Sequence, residues 1–354
     1  MGFRILKIIY QANKEIQSFL ADNIIGTPGQ SAVYQQLNTH EKLKQLPNPH
    51  FACLQREKLL GLCCFCQRSF YLNGEEIVSF YVRYFSFKDA FRSQKSHSRS
   101  QNKRNAIKNE VHQLLEGHEL LKRSTPNIFY AFVDPNNERS AVLCNEFGFQ
   151  TIRTFKTYSL GYLFPRKRIA FEKIASASKA ELSELLRNFY SDYTFYTEDN
   201  LFYRDQYFMV RDENGKVLVG IQANPENWKI HDLPGWSGKM LLHVASKLPI
   251  TNRLIRPNYQ FLALDYLYCQ PGQEETLSQL IESLLAHFSL STAMVLADAE
   301  SSLHQTLKRI DHGIVGKIKK PVSISVIAKG NQFSDYQWNH IKNSPSFQSS
   351  FDTT

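Results

Sequence analysis

The sequence is short of the features that mark secreted, membrane-spanning or zinc-built proteins. Its 354 residues hold six cysteines. Cys63, Cys64 and Cys66 crowd into one expected strand, with Cys64 and Cys66 on one face and Cys63 on the other. That pattern suits small buried hydrophobes better than disulfides or zinc ligands, so no metal is expected. The longest apolar run, Leu59 to Cys66, is far too short to span a bilayer. The opening MGFRILKIIYQ has neither a long apolar segment with a small-residue cleavage site nor the Ser/Thr of a myristoylation signal. These absences give the expectation of a cytoplasmic protein with no membrane partner. Acid is scarce as well: 33 Asp and Glu against 42 Lys and Arg leave a net charge of +9. Such an excess favours polyanionic partners, and a phosphate-bearing cofactor qualifies as well as nucleic acid. A solvated basic surface is the plain alternative.

Apolar residues make up 42% of the chain, with 25 Phe and 17 Tyr, and the length suffices for two domains with real cores. Phe3–Tyr10 reads as a strand and Lys14–Asn23 as a helix with Ile16, Phe19 and Leu20 on one face. Gly26–Pro49 is polar and turn-rich, with one helix expected near Ser31–Leu37. Phe51–Gln55, Leu59–Leu72 and Ile77–Phe87 form an antiparallel meander, turned at Asn73-Gly74. Lys88–Lys108 then carries Arg92, Lys95, Arg99, Lys103, Arg104 and Lys108 against Asp89 alone. It runs into a helix with Ile107, Val111, Leu114, Leu115 and Leu121 spaced for burial. Cations and unpaired amides at a helix N-terminus are a recipe for binding phosphate. A strand, Ile128–Asp134, is followed by NERSAVLCNEFGF, where Asn137 can cap a short helix and Gly148 can end it. Gln150–Phe164 is extended, and Pro165-Arg166-Lys167-Arg168 reads as a linker.

Beyond the linker the order repeats. Ile169–Ile174 reads as a strand. Ser178-Lys-Ala-Glu181 is a capping-box pattern opening a helix. Gln206–Arg211 and Val217–Ala223 flank the hairpin signal Asn214-Gly215. Asn224–Tyr259 looks irregular around a helix at Gly238–Leu248. Phe261–Cys269, a helix after Pro271-Gly272, Thr292–Asp298, a helix at Ser302–Ile310, Gly313-Ile314 and an extended Lys317–Ile327 complete the second round. The tail has one capped turn, at Ser334. The two rounds share a pattern and almost no identity.

The pattern Asn-x-x-small-x-x-Leu-x-x-x-x-Gly-Phe at Asn137–Phe149 resembles the last helix of the GCN5-related N-acetyltransferases (GNAT). The order of elements resembles a tandem GNAT protein over nearly the whole chain. The resemblance implies an α/β fold of the α+β mixed-sheet kind: two GNAT-like domains, residues 1–165 and 166–354, each a mostly antiparallel mixed sheet flanked by helices. It implies an acyl-CoA-dependent N-acyltransferase with acetyl-CoA as donor, using the N-terminal copy. The acceptor would be a small-molecule or a peptidyl or aminoacyl amine. Donor contacts would come from Tyr84, Phe85 and Phe87 and from the loop Gln101-Asn-Lys103-Arg104-Asn105-Ala106, with Asn137 near the cofactor. That loop has Arg104 where the family's first glycine stands. Cys144 takes the position of the family's tyrosine acid, with Tyr130 and Tyr158 as substitutes. Glu75, Glu76, Tyr81 and Arg83 are the base candidates, and Glu76 is carried forward. The second copy has Glu274 and Glu275 where pyrophosphate would sit, so it is expected to shape the substrate site, with Trp228, Trp236 and Tyr259 as wall residues or plain core. Two other readings remain: a catalytically degenerate ligand- or partner-binding protein, and, ranked last, a nucleic-acid-associated protein using 92–108.

Overall fold

The computed structural model describes residues 3–353 apart from 73, 88–97, 122–124, 244–250 and 255; the side chains of 98–104, 118, 138–141, 237, 241, 243 and 251 also lie outside the description. Arg92 and Lys95 of the basic stretch therefore fall outside it. The strands are β1 (Leu6–Ile9), β2 (Ile24–Ile25), β3 (Val33–Gln36), β4 (Pro49–Gln55), β5 (Leu59–Leu72), β6 (Glu75–Phe87), β7 (Asn127–Val133), β8 (Gln150–Gly161), β9 (Glu172–Lys173), β10 (Tyr207–Arg211), β11 (Val217–Asp232), β12 (Asn258–Cys269), β13 (Thr292–Asp298) and β14 (Val322–Asn331). They join one continuous sheet in the order β1-β4-β5-β6-β7-β14-β8-β13-β12-β11-β10-β9, with β3 added to β11 and β2 to β3.

Read inward from its two edges, the sheet repeats itself. Each half is an antiparallel meander ending in a parallel pair, β6 with β7 and β12 with β13. The exchange at the centre is what sequence order hides. β14, from the second round, lies against β7, and β8, from the first, lies against β13. The halves are thus tied through their last strands rather than hinged at Pro165–Arg168.

The meander forms where alternation and the Gly74 turn dictate it. Along β5, Cys64 and Cys66 face one core cluster with Phe70 and Leu72, and Cys63 faces the opposite cluster with Phe65. The Glu138–Glu146 helix stops at Gly148 (φ 82°), where Phe149 N–H donates to the Cys144 carbonyl at 3.0 Å, a glycine-dependent ending. The Glu274–His287 helix buries Leu277, Leu280, Ile281, Leu284 and Leu285 as its spacing requires.

Other expectations change. Ser31–Leu37 contains β3 instead of a helix, because its residues complete the edge of β11 at Trp228–Asp232. Asn224–Asp232, read as irregular, continues β11 for the same reason. The Ile169–Ile174 strand shrinks to β9, and Gly313–Ile318 is a short helix packed on β8. Ser178 makes no cap hydrogen bond, whereas Ser334 forms a full capping box with Gln337.

Gly313 (φ 64°) meets Gly161 so closely that a Cβ there would stand 2.2 Å from the Gly161 carbonyl oxygen. Gly313→Ala is expected to cost about 2–3 kcal/mol from backbone strain and overpacking together, read as a drop in urea midpoint with unchanged m-value.

Candidate active site

In each half the parallel pair separates. β6 and β7 pair from Val78–Asn127 to Tyr81–Tyr130 and no further, although β6 continues to Phe87 and β7 to Val133. The second pair runs only from Leu262–Ala293 to Leu264–Val295. Just past each separation the outer strand carries a bulge. Tyr84-Phe85 stand opposite Cys63, and Tyr266-Leu267 stand opposite Ile221. Tyr84 and Tyr266 hold positive φ values of 55° and 44° there. A bulge bends its strand and re-aims its amides, which is how a sheet opens a wedge without losing its outer pairing.

The two wedges differ in what fills them. β7 passes from fully buried Asn127–Tyr130 to half-buried Ala131, Phe132 and Val133 as it leaves β6. Val82, Ile107, Ala131, Val133, Leu143 and Cys144 all pack on one core cluster while keeping some exposure. They form an apolar strip at the separation, with Ile107 from the helix Ser98–Leu115 and Leu143 and Cys144 from the helix Glu138–Glu146. The second wedge is closed by the chain's own C-terminal segment. Ser346 N–H donates to Asp298 at 2.9 Å, and Asp265 accepts from the Ser349 hydroxyl at 2.6 Å and Ser350 N–H at 2.8 Å. Phe347 is buried beside Tyr190, Tyr196 and Tyr266.

The same segment crosses to the other face of the first wedge. Asp352 accepts two hydrogen bonds from the Arg68 guanidinium, 2.7 and 2.8 Å, and lies 3.4 Å from Arg83 Nη1. Arg83 Nη2 donates to the Tyr84 hydroxyl at 2.9 Å, and the Tyr81 hydroxyl donates to the Asp352 carbonyl at 3.3 Å. Arg68 and Arg83 correspond by register to Glu226 and Asp265 in the second half, so the two halves carry opposite charges at matching positions. Glu226 is paired with buried Lys42 at 3.0 Å, and burial pulls that ammonium down to about 8.

The structure separates several residues that the sequence reading grouped. Tyr130 lies on the Arg68 face, 2% exposed and stacked on Phe195 at 4.2 Å, whereas Cys144 lies on the opposite face. The sheet therefore stands between the two side chains. Burial pushes the Tyr130 phenol far up and the Tyr84 phenol up to about 12, so both keep their protons near neutrality. Burial also raises the Cys144 thiol, which keeps its proton. Glu76 pairs with Tyr71 beside the hairpin turn, at the end of β6 away from the wedge. At about 3.3 Å per residue it stands roughly 26 Å from Tyr84, out of reach. Gln101, Lys103, Arg104, Asn105 and Ala106 lie within the Ser98–Leu115 helix rather than in a loop before it, and Asn105 is exposed. Their spacing suits helix propagation once Ser98–Ser100 begin the turn. Phe85 is 54% exposed at the bulge, and Phe87 lays its ring over Gly61. Asn137 N–H donates to the Asp134 carbonyl at 2.9 Å, in the turn before the Glu138–Glu146 helix. Tyr158 belongs to the second half, 2.8 Å from His304 Nδ1. Trp228 stacks on Tyr34 at 4.1 Å as core, and Trp236 faces solvent. Asp352, Arg68 and Asp265 were missed. The available signal was a charge at a core-facing strand position, in FCQRSF and FLALDYL.

No protein-family model matches the sequence, and no curated protein is similar to it. Among solved structures the chain is similar to Saccharomyces cerevisiae N-myristoyltransferase with bound myristoyl-CoA, at 10% identity over 98% of this chain and 89% of that one, with a TM-score of 0.58. It is also similar to a GCN5-related N-acetyltransferase from Anabaena variabilis, at 9% identity over 92% and 72% of the two chains, with a TM-score of 0.50. Identities this low speak to architecture, and the wedges, bulges and doubled meander agree with them: the chain has the GNAT fold in tandem, with the last strands of the two copies exchanged.

Proposed function

We propose that the protein is an acyl-CoA-dependent N-acyltransferase that takes its donor, acetyl-CoA, in the wedge between β6 and β7 and passes the acyl group to an amine. Residues 1–165 would be the donor half, and 166–354 would shape the acceptor site. One observation carries the reading: among the described residues no segment fills the first wedge, which is lined by partly buried apolar side chains, while the second is closed by Ser346–Ser350. The similar solved structures bind or are named for acyl-CoA chemistry, which supports the choice of donor class.

In this reading the unpaired edge of β6 at Tyr84–Phe87 offers amide N–H groups to the thioester carbonyl, where charge develops in the transition state. The acceptor, its ammonium proton lost to water, attacks that carbon as a neutral amine, the C–S bond breaks and an amide forms. Cys144, on the strip side and protonated, gives its proton to the departing thiolate and takes back the one that the nitrogen sheds. The Ser98–Leu115 helix brings Gln101, Lys103, Arg104, Asn105 and Ala106 toward the donor's phosphates, with Asn137 on the far side of the strip. A second reading, ligand binding without catalysis, is favoured by the helical state of 101–106, whose amides are engaged within the helix.

Acetyl-CoA at about a hundredfold excess over Kd should raise the melting temperature by about 5 °C. Ala131→Trp, which fills the wedge, should remove the rise while leaving the unliganded melting temperature within about 2 °C. No rise at millimolar acetyl-CoA would sink the donor assignment. Cys144→Ala should lower kcat by about 10²–10⁴ without changing donor affinity. An unchanged kcat would remove the cysteine from the mechanism, and binding with no acylation of any amine would favour the second reading.

A further inference from the structure

The strand register gathers several segments at one end of the sheet. β8 ends at Gly161 opposite Thr292, Leu262 pairs with Ala293, and Lys229 pairs with Asn258. The Gly235–His243 helix leaves β11 there, the Thr251–Arg253 turn precedes β12, and the Gly313–Ile318 helix leads to Val322. The open end of the first wedge is on this side too, since Val133 pairs with Ser325 near the start of β14.

This end exposes large apolar side chains. Trp236 is 79% exposed and Ile318 78%, and Phe164, Met240, Val322 and Ile314 are each more than a third exposed. Around them the stretches 162–168, 235–243, 251–256 and 312–322 carry three, one, two and three Lys or Arg, and no Asp or Glu. These nine cations have no acid within their own stretches. The bordering acids are Asp232 and Asp311, which accept from Leu233 N–H and Gly313 N–H at 2.9 Å and keep their charge, and Glu282, which pairs with Arg168 at 2.7 Å and so takes up one of the nine cations. Arg253 lies over the Phe164 ring at 4.8 Å, an apolar face with a cation on top.

A purely polyanionic partner would explain the cations and leave Trp236 and Ile318 in water. Exposed tryptophan and branched aliphatics set among Lys and Arg match a surface that sinks to headgroup depth in a charged bilayer. We propose that this end of the sheet docks on an anionic phospholipid membrane, with the apolar side chains at the headgroup boundary and the cations on lipid phosphates. Among the described residues no helix is long and apolar enough to cross a membrane, and docking of this kind requires none. The proposal rests on the patch alone and holds whether or not the wedge takes an acyl donor.

The test is co-sedimentation of the full chain with vesicles of phosphatidylcholine alone or with about a third phosphatidylserine. Binding to the anionic vesicles only, a blue-shifted tryptophan emission on binding, and a partition lowered at least about tenfold in both Trp236→Ser/Ile318→Ser and Lys317→Glu/Lys320→Glu are expected. Melting temperatures of the free variants check that each is folded. Absence of sedimentation with anionic vesicles overturns the proposal. So does binding that falls with the charge reversal but ignores the apolar pair. Displacement of the chain from vesicles by a DNA or RNA duplex acting through the same lysines would assign the surface to nucleic acid instead, and also overturns it.

Discussion

Asp352→Ala should destabilise the fold by about 3–5 kcal/mol, because it leaves the Arg68 guanidinium buried without its bidentate partner. Arg68 and Asp352 side chains are 3% and 1% exposed, and the remaining carboxylate near Arg68, Asp199, stands 3.4 Å from Nε. Arg83, also buried, loses its contact at 3.4 Å. The cost comes from the orphaned cations more than from the pair's net worth. Arg68→Met combined with Asp352→Leu is therefore expected to recover most of the loss, since removing both charges spares their desolvation. Urea unfolding of the two single variants and the double variant measures this as a coupling energy. A double variant no more stable than Asp352→Ala would show that the loss comes from packing of the C-terminal segment instead.

A pH dependence of similar size is expected from Asp265. Burial pushes its carboxyl up to about 7, against the hydrogen bonds from Ser349, Tyr266 and Ser350 that pull it down. Its unfolded value is about 3.9. A folded value above the unfolded one means the native state holds a proton that the unfolded chain releases. The stabilisation is complete below about pH 4 and is lost as pH rises through about 7, amounting to about 4 kcal/mol at most. Unfolding free energy should fall from about pH 4 to about pH 7, and Asp265→Asn should flatten that fall. An unaltered slope in the variant would assign the titration to another group. Ionisation strengthens the bonds from Ser349 and Ser350 but leaves a charge out of water, and admitting water relieves that cost, so the high-pH state should also loosen the plug of the second wedge. Hydrogen exchange at Ser346–Ser350 would report that.

The pieces that were legible were those with local causes. β5 was read at Leu59–Leu72 and β13 at Thr292–Asp298, because period-2 alternation and flanking turns fix such strands without help from the rest of the chain. Gly148 was legible because its positive φ is a local demand. What failed was set by distant partners. β3 exists because β11 presents a free edge at Trp228–Asp232, and Gln101–Ala106 became helix although its spacing matched a loop. Tyr130 was held as a substitute for Cys144 in the acid role, and the sheet puts the two on opposite faces.

The sequence by itself determined the doubled order of meander, helix and paired strands, since hydrophobic period and turn residues act within a few residues of themselves. Only the tertiary structure decided that β8 and β14 change places, that Ser346–Ser350 fills the second wedge, and that Asp352 meets Arg68 across 284 positions. Those outcomes follow from which buried charges and strand edges find partners once the halves come together, and such pairing leaves no periodic trace along the chain.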